Sequence, residues 1–136
     1  EGSEAPVARA LLALCNYRAG RDESLAALED AIRKLREVDA KQRLVFVLTH
    51  LAMIEVERAE LDRAAARAEE AVQLAEALEQ TSDVALARAT LLRIARARDD
   101  ETEAGRQREA LSQLHGYAHH VQAVVARELE QSEVQS

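Results

Sequence analysis

Residues 45–78 read VFVLTHLAMIEVERAELDRAAARAEEAVQLAEAL, an apolar stretch followed by an alanine-rich one. When residues 5–38 and 85–118 are written above and below this stretch, similar residues fall into columns. Five columns recur every 40 residues: Leu11, Leu51 and Leu91; Leu14, Ile54 and Ile94; Arg18, Arg58 and Arg98; Ser24, Ala64 and Ala104; Glu29, Glu69 and Glu109. A repeat of this length with two helical segments buries its apolar face only by stacking on neighbours. The period therefore predicts an all-α fold, an α-solenoid of about three helix pairs.

Apolar spacing and the scarcity of Gly and Pro predict seven helices in a single domain over residues 5–132. Their predicted ranges are 5–18, 22–37, 40–58, 61–79, 82–98, 101–114 and 117–132. The repeat copies lie near 5–38, 45–78 and 85–114, and the helix 117–132 is expected to cap the last apolar face. Residues 1–4 begin Glu-Gly-Ser without an initiator Met. They are expected to be a cloning scar or a disordered start, and 133–136 a frayed tail, of a domain cut from a larger protein.

Composition excludes several classes of function. The formal net charge is −7, and aromatic residues make up only 2% of the chain, so no basic surface with stacking rings is available to nucleic acid. No apolar run approaches the roughly 18–20 residues that span a membrane. The single cysteine, Cys15, fits a reducing compartment, and the expected localisation is cytoplasmic. Cys15 lies among leucines and is expected to be a small buried hydrophobe.

The second copy resembles the tetratricopeptide repeat. The residues that carry the resemblance are Leu48, Leu51, Ala52, Ala59, Leu61, Ala64, Ala68, Ala71 and Val72. The family's usual period is 34 residues, so the present repeat is similar to the longer variety found in bacterial transcription regulators of the maltose-activator type. The resemblance implies that the first helix of each pair lines a concave groove that receives peptide ligands.

Carried over by column, the implied ligand groove combines cations with an apolar seat. Its residues are Arg9, Asn16, Tyr17, Phe46, Thr49, His50, Met53, Arg93 and Arg96, with Ala13, Val56, Leu86 and Ala89 between them. Arg grips a carboxylate through two donors, and Met with Phe forms an adaptable apolar seat. The expected ligand is therefore a peptide or protein segment that is acidic and carries an apolar anchor.

Two of these features have structural alternatives. Phe46 and Met53 lie on one helical stripe and could equally pack against neighbouring helices or pair two copies in a homodimer. The arginine column ends the first helix of each pair, where a cation complements the helix dipole. The glutamate column is expected to be solvated or paired with an arginine of an adjacent repeat.

No motif for catalysis, cofactor binding or metal binding is predicted. His115, His119 and His120 form a cluster, and His115 and His119 have the spacing of two metal ligands on one helix, but Gly116 interrupts that helix. No Cys is nearby, and no carboxylate lies at a matching spacing. The sequence lacks a phosphate-binding loop and a nucleophile elbow. The predicted function is a non-catalytic protein-interaction domain, and the alternative is an effector-sensing or dimerisation module of a transcription regulator.

Overall fold

The computed structural model describes the backbone of residues 4–135 and the side chains of residues 5–131. Within this range the chain is all-helical, with helices α1 (Glu4–Arg18), α2 (Ser24–Glu37), α3 (Lys41–Glu57), α4 (Leu61–Ala77), α5 (Thr81–Ala97), α6 (Glu101–Ser112) and α7 (His119–Gln135). The predicted fold class is confirmed. Residues 133–135, predicted as a frayed tail, continue α7, whereas residues 1–3 and 136 of the two predicted end segments lie outside the described residues.

The helices stack in chain order. The odd-numbered helices contact one another in succession, α1 with α3, α3 with α5 and α5 with α7. Each even-numbered helix packs between the odd-numbered helices that precede and follow it. This arrangement is the one expected of an α-solenoid, in which every pair buries its apolar face on the next.

Left-handed residues close the turns within the helix pairs and reveal a shift in register. The positive φ angles fall at Gly20 (95°), Ala59 (61°) and Asp99 (54°). Ala59 and Asp99 are 40 residues apart, but Gly20 precedes Ala59 by only 39. Helix α1 is therefore displaced by one residue from the columns read off the sequence, and Leu12, not Leu11, is the counterpart of Leu51.

The core consists of two clusters that share helix α5. The first cluster joins α1 to α4 with one side of α5, which contributes Val84, Ala87, Leu91 and Ile94. The second joins the other side of α5, through Ala85, Ala89, Leu92 and Ala95, to α6 and α7. One side of α5 thus packs on the preceding helices, and its other side packs on α6 and on the capping helix α7.

Ion pairs join successive helix pairs. Arg58 lies 2.6 Å from Asp22 and Arg98 lies 2.5 Å from Asp62, so two members of the arginine column bind the preceding pair. In the glutamate column, Glu29 accepts from Arg67 of the next pair at 2.9 Å, which confirms the predicted pairing for that member.

A buried carboxylate lies at the centre of the stack. Glu55 on α3 is fully buried, and Arg67 on α4 binds both of its oxygens at 3.3 Å while also reaching Glu29 on α2. Burial raises the pKa of Glu55 above its ordinary value, and the charge and hydrogen bonds of Arg67 oppose that rise.

Candidate ligand face

Helix α3 presents Phe46, His50 and Met53 on a side that its neighbours leave uncovered. Their spacing of i, i+4 and i+7 places them in one row on the helix. Phe46 is 46% exposed, and Met53 is half-buried. The rings of Phe46 and His50 are stacked with centroids 4.0 Å apart, and His50 Nδ1 donates to the Phe46 carbonyl at 2.9 Å. Neither Phe46 nor Met53 belongs to the buried core.

The neighbouring odd-numbered helices continue this row. On α5 the equivalents of Phe46 and Met53 are Leu86 and Arg93, both half-buried, whereas the equivalent of His50, Thr90, is buried. On α1 the one-residue register shift makes Leu11 the counterpart of His50, whereas Leu14, the counterpart of Met53, is buried. Arg18 follows Leu11 by seven residues on the same side of the helix, and both are exposed. We call the surface formed by Leu11, Arg18, Phe46, His50, Met53, Leu86 and Arg93 the odd-helix face.

The odd-helix face combines apolar side chains with two uncommitted cations. Within the described part of the chain, neither Arg18 nor Arg93 forms an ion pair with a carboxylate; the charge of Arg18 acts on His50. Elsewhere, five ion pairs among the described residues join one helix to another. Two arginines beside an apolar row are therefore available to an external carboxylate.

The surroundings of His50 favour its neutral form. Burial lowers the pKa of His50, its hydrogen bond to Phe46 opposes that effect, and Arg18 lowers the pKa further. The pKa of Asp83 on α5 is raised by burial, with the charge of His50 acting against the rise. A neutral imidazole stacked on Phe46 forms an aromatic platform at neutral pH. Asp83 is the carboxylate whose charge acts on His50.

A cleft opens at one end of the odd-helix face. It has a volume of about 600 Å³ and lies between the first half of α1 and the corner that joins α2 to α3. Its lining residues are Val7, Ala8, Leu11, Asp39, Ala40, Lys41, Gln42, Arg43 and Leu78. Leu11 belongs to both the cleft and the odd-helix face, so the two form one continuous surface.

Several residues predicted for the groove lie elsewhere. Tyr17 and Thr49 are buried, at 4% and 2% exposure, and the Thr49 hydroxyl has no hydrogen-bond partner among the described atoms. Arg96 forms an ion pair with Glu128 of α7, both nearly buried. The capping helix therefore already supplies a carboxylate to this cation of the predicted groove.

The remaining predicted residues of α1 also lie away from the row. Arg9 is exposed, and its charge acts on Asp30 of α2. Asn16 is half-buried and accepts a hydrogen bond from Arg21 at 2.7 Å. The structure therefore brings together Phe46, His50, Met53 and Arg93 from the predicted set.

Sequence columns missed Leu11 and Arg18 as members of this face. The missing signal was the position of Gly20, because a left-handed glycine aligned with Ala59 fixes the register of α1 one residue away from the 40-residue columns. Cys15 was also predicted wrongly, because it is exposed and not buried.

The histidine cluster does not assemble a site. His115 lies in the linker between α6 and α7, whereas His119 and His120 begin α7, and all three are exposed. Across the described residues, no group of three His, Cys, Asp or Glu side chains is arranged to hold a metal ion. Nor is any helix in that part of the chain both long and apolar enough to cross a membrane.

Comparison of the chain with models of known protein families, with curated proteins and with solved structures found no match.

Proposed function

We propose that this chain is a non-catalytic interaction domain of the tetratricopeptide-like kind and that its odd-helix face binds a peptide or protein segment. The exposed Phe46 carries the proposal. A phenylalanine that is 46% exposed and stacked on His50 in the central helix leaves apolar area uncovered in the middle of the molecule. Exposed apolar area bordered by charged groups is characteristic of binding surfaces.

The charges of the face favour an acidic ligand with an apolar anchor. Arg18 and Arg93 lie at opposite edges of the row, on α1 and α5, and the apolar side chains of Leu11, Phe46 and Met53 lie between or beside them. An anchor such as Leu or Phe would occupy the apolar centre while a carboxylate on either side accepts from an arginine. Arg96 is not part of this proposal, because it already forms an ion pair with Glu128.

The test is titration of the domain with a panel of short fluorescent peptides, each with one Leu or Phe and two flanking Glu residues, against matched peptides with Gln in place of Glu. Binding of the acidic peptides should be lost in Phe46→Ser. It should weaken about five- to tenfold in Arg93→Gln, as expected for a partly solvated charge pair, and depend less on salt.

Arg127→Gln is the matched control, because Arg127 is an exposed arginine of α7. It should bind like the parent protein. Equal affinity for the Glu and Gln peptides, or equal binding by the Phe46→Ser and parent proteins, would place the ligand site away from the odd-helix face.

A further inference from the structure

Asp83 is a half-buried carboxylate without a cation partner in the described part of the chain. Its carboxylate forms neither an ion pair nor a hydrogen bond with any described residue. The other described carboxylates that are at least partly buried are all paired with an arginine. These pairs are Asp30 with Arg33, Glu55 with Arg67, Glu70 with Arg36, Glu103 with Arg106 and Glu128 with Arg96.

The surroundings of Asp83 do not compensate for its burial. Burial raises the pKa of Asp83, and the charge of His50 acts against that rise. The residue of α3 equivalent to Asp83 is Arg43, but this arginine is exposed, lines the cleft and forms no ion pair with Asp83. Asp83 lies in the first turn of α5, where a carboxylate suits the helix dipole. That role requires no burial, so it does not account for the half-buried position.

Asp83 lies in the same row as the residues of the odd-helix face. It precedes Leu86 by three residues and Arg93 by ten, which places the three on one side of α5. Asp83 and His50 act on each other through their charges. The carboxylate therefore lies near the stacked rings of Phe46 and His50 on α3, which we call the ring stack.

The chain itself shows how a ring and a carboxylate hold a cation together. The guanidinium carbon of Arg58 lies 4.0 Å from the centroid of the Tyr17 ring. The same guanidinium forms an ion pair with Asp22 at 2.6 Å. The first helix pair thus supplies a ring and a carboxylate to an arginine of the second. The ring stack and Asp83 are the same two kinds of group, but no described arginine or lysine is paired with Asp83.

We infer that Asp83 and the ring stack form a cation subsite of the odd-helix face, which receives an arginine or lysine side chain of the bound peptide. This inference rests on the proposed function and makes the ligand dipolar, with a cation toward Asp83 and a carboxylate toward Arg93. Arginine fits best, because its planar guanidinium stacks on a ring while it donates to a carboxylate.

The two ends of the row set the spacing of the ligand charges. Asp83 and Arg93 are ten residues apart on one helix, which corresponds to about 15 Å at a rise of about 1.5 Å per residue. An extended peptide spans about 3.3 Å per residue. The arginine and the carboxylate of the ligand should therefore be about four or five residues apart, with the apolar anchor between them.

The test compares two fluorescent peptides that differ at one position. Both carry a Leu anchor and a Glu, and five residues from the Glu they carry either arginine or citrulline, its uncharged isostere. The parent protein should bind the arginine peptide about five- to tenfold more tightly. Asp83→Asn should bind the two peptides equally, and Asp83→Arg should prefer a peptide with a second Glu at that position. Arginine placed directly beside the Glu should give little gain over citrulline.

Glu57→Gln is the matched control, because Glu57 is an exposed carboxylate at the other end of α3. It should keep the preference for arginine. Equal binding of the two peptides by the parent, or a preference that Asp83→Asn retains, would overturn the cation subsite and leave the proposed function standing. Binding of neither peptide by the parent would overturn both.

Discussion

Helices α1 and α3 occupy equivalent positions in successive helix pairs, but their surroundings differ. The apolar row Leu44, Val47, Leu51 and Ile54 of α3, here called its seam, is buried. Leu51 is 0% exposed, whereas Leu12, the residue of α1 equivalent to Leu51, is 65% exposed. The equivalent seam of α1 is also apolar and has the same spacing, with Ala5, Ala8, Leu12 and Cys15. The difference therefore lies in the helix pair that packs on α3, because the described residues place no helix on the equivalent side of α1.

Helices α1 and α3 also differ at one polar position. Glu55 of α3 is buried beside Arg67, and the equivalent residue in α1 is Asn16, which is half-buried and bonded to Arg21. A charge enters the interior only where a packed neighbouring helix supplies its counter-ion. Helix α2 has Ala27 at the position equivalent to Arg67, so α1 has no such counter-ion from its own partner helix.

The largest expected effect separates the two seams directly. Leu51→Asp should destabilise the domain by at least about 4 kcal/mol, because it places an unpaired carboxylate in the core. Leu12→Asp should change the free energy of unfolding by less than about 0.5 kcal/mol. Urea unfolding followed by circular dichroism measures both. Similar losses in the two variants would show that α1 is covered as completely as α3.

The second effect concerns the buried carboxylate of α3. Arg67→Leu should cost about 3–5 kcal/mol at neutral pH, because Glu55 is left buried without its counter-ion. Arg63→Leu is the control on the same helix, since Arg63 is 51% exposed, and it should change little. Adding Glu55→Gln to Arg67→Leu should recover a large part of the loss.

The pH dependence of this variant has a defined sign. Burial already raises the pKa of Glu55 above the unfolded value, and removal of Arg67 raises it further. The native state then binds a proton more readily than the unfolded state, so the deficit relative to the parent is largest at neutral pH. It shrinks as the pH falls through the native pKa toward the unfolded one. Unfolding curves from pH 7 to pH 4.5 would show this, and a deficit independent of pH would contradict it.

The smallest effect tests the turn that sets the register of α1. Ala59 adopts a left-handed conformation that Gly20 provides in the first pair. Ala59→Gly should stabilise the domain by about 0.5–1 kcal/mol, and Gly20→Ala should destabilise it by about 1 kcal/mol. A Cβ at Gly20 meets no atom within 4 Å, so strain in the backbone is the whole effect. Opposite signs in thermal melts would confirm that the two turns are equivalent.

The sequence predicted the fold because its strongest signals are local and repeated. Seven helices follow from apolar spacing and from short connections, and the stacking order follows from the period. Leu51 and Ile54, chosen from the central copy, are both buried. The one-residue offset of α1 was missed because Leu11 and Leu12 are adjacent leucines, and either fits the apolar column.

The odd-helix face was harder to predict because its members depend on helix rotation. Phe46, His50, Met53 and Arg93 came from α3 and α5, where the 40-residue columns hold. The predicted members from α1 lie on other sides of that helix, because α1 is offset by one residue from the 40-residue columns. The pairing of Arg96 with Glu128 joins residues 32 positions apart in different helices, and no column of the repeat contains that information.

The charge set around Arg67 bears on how a chain of similar helix pairs assembles correctly. Repeat proteins misassemble when one copy of an element takes the place of another. The residues equivalent to Arg67 in α2 and α6 are Ala27 and Gln107, so only α4 among these three helices carries a cation that neutralises Glu55. An exchange of α4 for α2 or α6 would strand a buried carboxylate. A single buried ion pair thus gives the central helix an identity that alanine and leucine packing alone would not distinguish.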